Sequence, residues 1–155
     1  MKPRRCLPQR GVVAIETAFL LLTCFMLLPF MLYFSRLALH SAVLQQAAFD
    51  AARYVATLPR EQIRDAALQA TALNVARGLI VDAVAGAQLD TLPNAIEIEC
   101  DYIDCDQMSF SGAPALVSVR VTLLFRDPVF MEGFTGMLVP YEYPLAYDAV
   151  QRYGN

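Results

Sequence analysis

Hydrophobic and polar positions divide the chain into three regimes. Thr17 to Phe34 is a run of eighteen residues without a charge (TAFLLLTCFMLLPFMLYF). Counted from Val12, a helix over this stretch is about 34 Å long at ~1.5 Å per residue. That length crosses a hydrocarbon core of about 30 Å, so residues 12–34 are predicted to form a transmembrane helix. Beyond it, Leu37, Leu44, Ala48, Ala51, Ala52, Val55 and Leu58 recur at helical spacing, and the helix is expected to continue as one rod until Leu58-Pro59 ends it. The stripe is rich in alanine, whose small side chain permits close packing against a sheet or another subunit. A second helical pattern opens at Arg60-Glu61-Gln62 and runs through Ile63, Ala66, Ala67, Ala70, Leu73, Leu79, Ile80 and Val84, loosened by Gly78 and closed by Gly86. It reads as an amphipathic helix docked through its Ala and Leu stripe.

The period then changes from helical to alternating. Ile96, Ile98, Cys100 and Tyr102 alternate with Glu97, Glu99 and Asp101, and Val117, Val119, Val121 and Leu123 alternate with Ser118, Arg120 and Thr122. Each pattern predicts a strand with one buried face. Gly112 and Pro114 lie in the connection, which favours an antiparallel pair. After Asp127-Pro128 comes an irregular stretch with Gly133, Gly136 and Pro140, and Tyr143 to Val150 then reads as a third strand or a short helix. The expected fold class is therefore α+β: a long N-terminal helix, membrane-spanning in its first half, a second helix and a small antiparallel sheet. The segment 35–155 holds 121 residues, enough for one modest core.

Charge orients the span. Lys2, Arg4, Arg5 and Arg10 precede it with no acid among them, whereas the chain from Val12 onward carries eight bases against fifteen acids. A basic leader over residues 1–11 predicts a cytoplasmic N-terminus and an exported C-terminal domain. An acidic exported domain is a poor partner for nucleic acid. A cleavable secretory signal fits badly: the apolar run exceeds the usual ~7 to 15 residues, and Arg36 and His40 intrude where small residues are wanted.

Cleavage ahead of the span is the other reading. Arg10-Gly11-Val12-Val13-Ala14-Ile15-Glu16 resembles the processing site of type IV prepilins. In that family a peptidase cuts after the glycine on the cytoplasmic side, and a glutamate is the fifth residue beyond the cut. The resemblance implies cleavage after Gly11, Val12 as the new N-terminus and Glu16 as that glutamate. Gly11, preceded by a stretch containing Pro3 and Pro8, is expected to keep the backbone extended and open to a peptidase. The ammonium created on Val12 stands four residues from Glu16, on the same helix face. Glu16 then pairs with its own terminus or with that of a neighbouring subunit. A lone carboxylate in a membrane helix is costly, at most about 2.5 to 3.5 kcal/mol at mid-span, and asks for such a role; snorkelling to the headgroups is the plainer account. Pro29 frees the carbonyl of Phe25 and softens the helix, a position where pilins often carry proline.

The resemblance narrows further along the rod. The segment from Gln46 to Ala56, matching best at Ala51-Ala52-Arg53-Tyr54, resembles TadE-like and TadF-like pseudopilins of the tight-adherence (Flp) pilus system. Asp50 and Phe49 depart from the small and basic residues usual upstream, and Thr17 departs from the aromatic that often follows the glutamate. The resemblance implies an accessory subunit in pilus assembly and cell adhesion. Its partners would be the bacterial inner membrane, a prepilin peptidase, other pilin-like subunits and the pilus assembly or secretion machinery. A major Flp pilin is far shorter, so the added domain points to an accessory role.

Catalytic candidates are few. His40 is the single histidine, no glycine-rich phosphate loop occurs, and no enzymatic activity, cofactor or metal is expected. Cys100 and Cys105 form the only cysteine pair in the domain expected to be exported, and a local disulfide or two unpaired thiols both fit. Asp101, Asp104 and Asp106 lack the glycine and terminal glutamate of a calcium loop, and read better as a solvated acidic edge. The rival to the pilin reading is an uncleaved single-pass anchor displaying a binding or envelope-scaffold domain.

Overall fold

The structure is a computed structural model that describes residues 10–89, 91–107, 113–126 and 142–154. The leader ahead of Arg10, Gly112 and the stretch with Gly133, Gly136 and Pro140 lie outside the described residues. Three helices, α1 (Arg10–Ala56), α2 (Arg60–Arg64) and α3 (Ala66–Gly86), precede four strands, β1 (Ala95–Cys100), β2 (Ile103–Asp104), β3 (Leu116–Arg126) and β4 (Glu142–Arg152), with a 3-10 turn at Cys105–Gln107. The fold class is α+β, with an antiparallel sheet in the order β2-β1-β3-β4. The chain divides into two compact units, Met1–Arg36 and Leu37–Asn155.

In the first unit, α1 exposes its large apolar side chains, Ile15 at 73%, Phe19 at 71% and Phe25 at 73% among them. It is long and apolar enough to cross a membrane. The Thr17 hydroxyl donates to the carbonyl of Val13 at 2.9 Å and that of Thr23 to Phe19 at 2.5 Å, so both polar side chains are satisfied within the helix. Helical assignment continues through Pro29.

The second unit is built on the alternation in β1, β3 and β4. Val119 lies opposite Ile98 on one side and Ala149 on the other, and Val117, Val121, Leu123 and Phe125 share its fully buried face. The Leu37–Ala56 part of α1 buries Leu44, Ala48, Ala51, Ala52 and Val55 in the same unit. His40, itself buried, meets the ring of Phe125 edge-on at 4.8 Å between centroids. At the other end Gly154 N donates to the carbonyl of Ala56 at 3.4 Å, and the Tyr153 hydroxyl donates to that of Leu58. Burial of this phenol pushes its pKa up.

Three details differ from the pattern in the sequence. The rod ends at Ala56, with Leu58 N bonded to the carbonyl of Val55 at 3.3 Å in a tightened last turn. The second helix is two helices, because Asp65 adopts extended geometry (φ −87°, ψ 114°) and its carboxylate accepts from Ala67 N at 2.9 Å, capping α3. The restart sets the helix phase. Ala66, Ala67, Ala70 and Leu79 are exposed, while Gln69, Ala72 and Ala76 join Leu73, Ile80 and Val84 in the buried stripe. Tyr102 leaves β1 altogether, since the chain reverses at Asp101-Tyr102 into β2. The segment from Tyr143 to Val150 is strand, inside β4.

Candidate functional site

Gly11, Val12 and Glu16 occupy the opening turns of α1 and are exposed. Gly11 stands inside the helix, a correction to the extended backbone expected there. Proline fixes its own φ at a helix-compatible value and restricts the residue before it, not those after it, so Pro3 and Pro8 do not prevent a helix from opening at Arg10. A Cβ added to Gly11 would meet nothing within 4 Å, so its backbone is open to approach. Val12 and Glu16 are one turn apart on one face, and the Glu16 carboxylate pairs with no described side chain.

The segment Ala51-Ala52-Arg53-Tyr54 splits by face. Ala51 and Ala52 are fully buried, where a larger side chain would displace its neighbours. Arg53 is exposed in the last turn of α1, a favourable place for a cation near the helix C-terminus. With Phe49, Ala56, Thr57, Gln151, Arg152 and Gly154 it lines an open recess of 360 Å³ between the end of α1 and the end of β4. Among the described residues its lining holds two bases and no acid.

Cys100 and Cys105 are disulfide-bonded, with Cα atoms 5.1 Å apart. The bridge spans the β1–β2 hairpin, whose turn residues Asp101 and Tyr102 both have left-handed backbones (φ 51° and 68°). Two positive φ values are what a tight two-residue hairpin requires, and tyrosine is an unfavourable residue for that geometry. Other contacts brace the turn. The Asp101 carboxylate accepts from Ala115 N and Leu116 N, each at 2.9 Å to Oδ1. Gln69 Nε2 donates to the carbonyl of Cys105 at 2.8 Å, and Arg77 pairs with Asp106.

No family model matches this chain. Comparison with curated proteins and with solved structures also returns no match.

The acids that could have suggested calcium therefore have structural duties. Asp101 serves backbone amides, Asp106 serves Arg77, and Asp104 accepts from Asp106 N at 3.1 Å. Gln69 was invisible to the sequence reading; a lone polar residue on the α3 stripe was its only signal. The outer face of the sheet carries a further pair, in which Arg120 Nε donates to Asp148 Oδ1 at 2.7 Å and its Nη2 to Oδ2 at 3.2 Å, with Glu97 Oε2 3.9 Å from Nη1. These hydrogen bonds hold the Asp148 carboxyl below its ordinary range and push the Arg120 guanidinium up.

Proposed function

We propose that this chain is a non-enzymatic pseudopilin: inserted with its leader in the cytoplasm, cut after Gly11 by a prepilin peptidase, and used as a minor or accessory subunit in assembling a tight-adherence pilus. The observation that carries the reading is the placement of Gly11, Val12 and Glu16, which has no partner among the described residues, on the opening turns of one long apolar helix. Cutting there leaves the helix intact as an anchor. It also creates an ammonium on the face that bears Glu16, with an unperturbed pKa near 8. Attraction between that ammonium and a carboxylate in a neighbouring helix would set the stagger of subunits, because an unpaired charge in hydrocarbon is costly. The α+β unit would face the periplasm or the exterior, consistent with the basic leader and with a disulfide at Cys100–Cys105.

One observation favours the rival reading, an uncleaved anchor carrying a binding domain: Gly11 is helical, and a peptidase needs extended backbone at the bond it cuts. N-terminal sequencing of the membrane-extracted protein separates the two. A mature chain starting at Val12 is expected, and Gly11→Leu is expected to block it. An intact leader in a cell with active prepilin peptidase would sink the pseudopilin reading. Glu16→Ala is expected to leave insertion unchanged and to impair assembly, and normal piliation would remove the role assigned to that carboxylate.

A further inference from the structure

The second unit holds an exposed aromatic residue flanked by acids and a recess lined by bases. Tyr102 is 81% exposed at the tip of the β1–β2 hairpin, on backbone that tyrosine rarely adopts. The disulfide, the Asp101 carboxylate and the Gln69 amide all fix the turn that projects it. With the turn backbone fixed, docking this tyrosine costs side-chain freedom alone, which suits it to anchor an interface. Glu99 and Asp104 flank it; Glu99 accepts from Ser118 Oγ at 3.3 Å and Asp104 from Asp106 N at 3.1 Å, and neither is ion-paired to a described residue, although Arg120 lines the same patch.

The recess at the end of α1 is the complement. Phe49 and Ala56 give it apolar walls and Gly154 an open floor, while Arg53 and Arg152 supply cations with no carboxylate partner among the described residues. Its 360 Å³ lies near the small end of pockets that hold a whole small-molecule ligand, about 300–1,000 Å³, so one phenol ring fits. Tyr102 cannot reach the recess of its own chain. Val117 pairs with Cys100 on one side and with Gln151 on the other, so hairpin and recess flank β3 on opposite edges, roughly 10 Å apart at ~4.8 Å per strand. The bridged turn has no slack to cross that gap.

We infer that Tyr102 of one copy seats in the recess between α1 and β4 of a second copy, with Glu99 and Asp104 facing Arg53 and Arg152. The contact joins two different patches of the same chain. It is therefore heterologous, and each copy keeps a free tip or a free recess for another. The inference does not depend on the pilus reading, which is tested by the N-terminus and not by this contact.

Photo-cross-linking of the full chain in its membrane tests it. With Tyr102→benzoylphenylalanine, the cross-link is expected to join two copies and to map by mass spectrometry to Phe49–Thr57 or to residues 151–154 of the acceptor. Arg53→Glu with Arg152→Glu in the acceptor is expected to lower the yield about tenfold, the equivalent of ~1.4 kcal/mol. Both arginines are exposed, so the fold should tolerate the change. Glu99→Lys in the donor copy is expected to restore part of the loss. Cross-links to another protein alone, to a different surface of the second copy, or to nothing would overturn the contact, as would a yield indifferent to the charge reversals.

Discussion

Between Gly11 and Arg36, α1 turns nearly every large apolar side chain outward, Phe19 and Phe25 at 71% and 73%, whereas between Leu37 and Ala56 it buries Leu44, Ala48, Ala51 and Ala52 completely. Both halves are helical for the same local reason, a run of helix-compatible residues without a strong breaker other than Pro29. They differ in what lies around them. The first half carries large side chains over its whole circumference, a pattern that an aqueous surface penalises and that lipid or another helix accommodates. The second half carries large and small side chains in a stripe that its own unit buries. One helix can thus serve two solvents when side-chain size changes along it.

The largest test of that contrast uses one substitution twice. Phe125→Ala removes a fully buried ring that also packs on His40, and is expected to cost about 3–5 kcal/mol in denaturant unfolding of the detergent-solubilised chain. Phe25→Ala, on the exposed half of α1, is expected to stay within about 0.5 kcal/mol. Equal losses would break the contrast. A reverse substitution sharpens it: Ala52→Leu overfills a fully buried site and is expected to destabilise by about 1–3 kcal/mol, while Ala18→Leu is expected to leave the melting temperature unchanged.

A third comparison lies within the second unit, between the braced hairpin and the open sheet face. Asp101→Ala strips the acceptor from the amides of Ala115 and Leu116 and puts alanine at positive φ, with an expected loss of about 1–3 kcal/mol by chemical denaturation. The Arg120–Asp148 pair is half exposed and should matter least. Its signature is in pH. The Asp148 carboxyl is depressed in the folded state, so its contribution is present above the unfolded pKa of about 3.9 and fades as pH falls through the lower folded value. Melting curves of the parent and Asp148→Asn should therefore differ slightly at neutral pH and converge in acid. A gap that widens on acidification would contradict the pairing.

Periodicity carried the reading furthest where it was long or strict. The charge-free run from Thr17 to Phe34, the stripe from Leu44 to Leu58 and the alternation of Val117 to Leu123 each encode their own geometry, because period 3.6 and period 2 place side chains on faces before any partner is known. In α3 the signal failed for a physical reason. Alanine is compatible with either face, so Ala66, Ala67 and Ala70 gave no phase, and the phase was set by the Asp65 cap. The excursion of Tyr102 failed similarly. Its place in the alternation fitted a strand, but a turn is decided by backbone dihedrals and by the partners that hold them.

For the candidate site, spacing alone placed Val12 and Glu16 together, since residues four apart in a helix share a face wherever the helix lies. It also marked Cys100 and Cys105 as neighbours, five positions apart. What no spacing could supply was convergence across the chain: Arg53 beside Arg152, Gln69 on the carbonyl of Cys105, and Asp101 on the amides of β3. Local sequence determined the elements and their faces. Only the packed fold decided which distant side chains meet, because those meetings depend on strand register and helix phase, properties of the assembled unit.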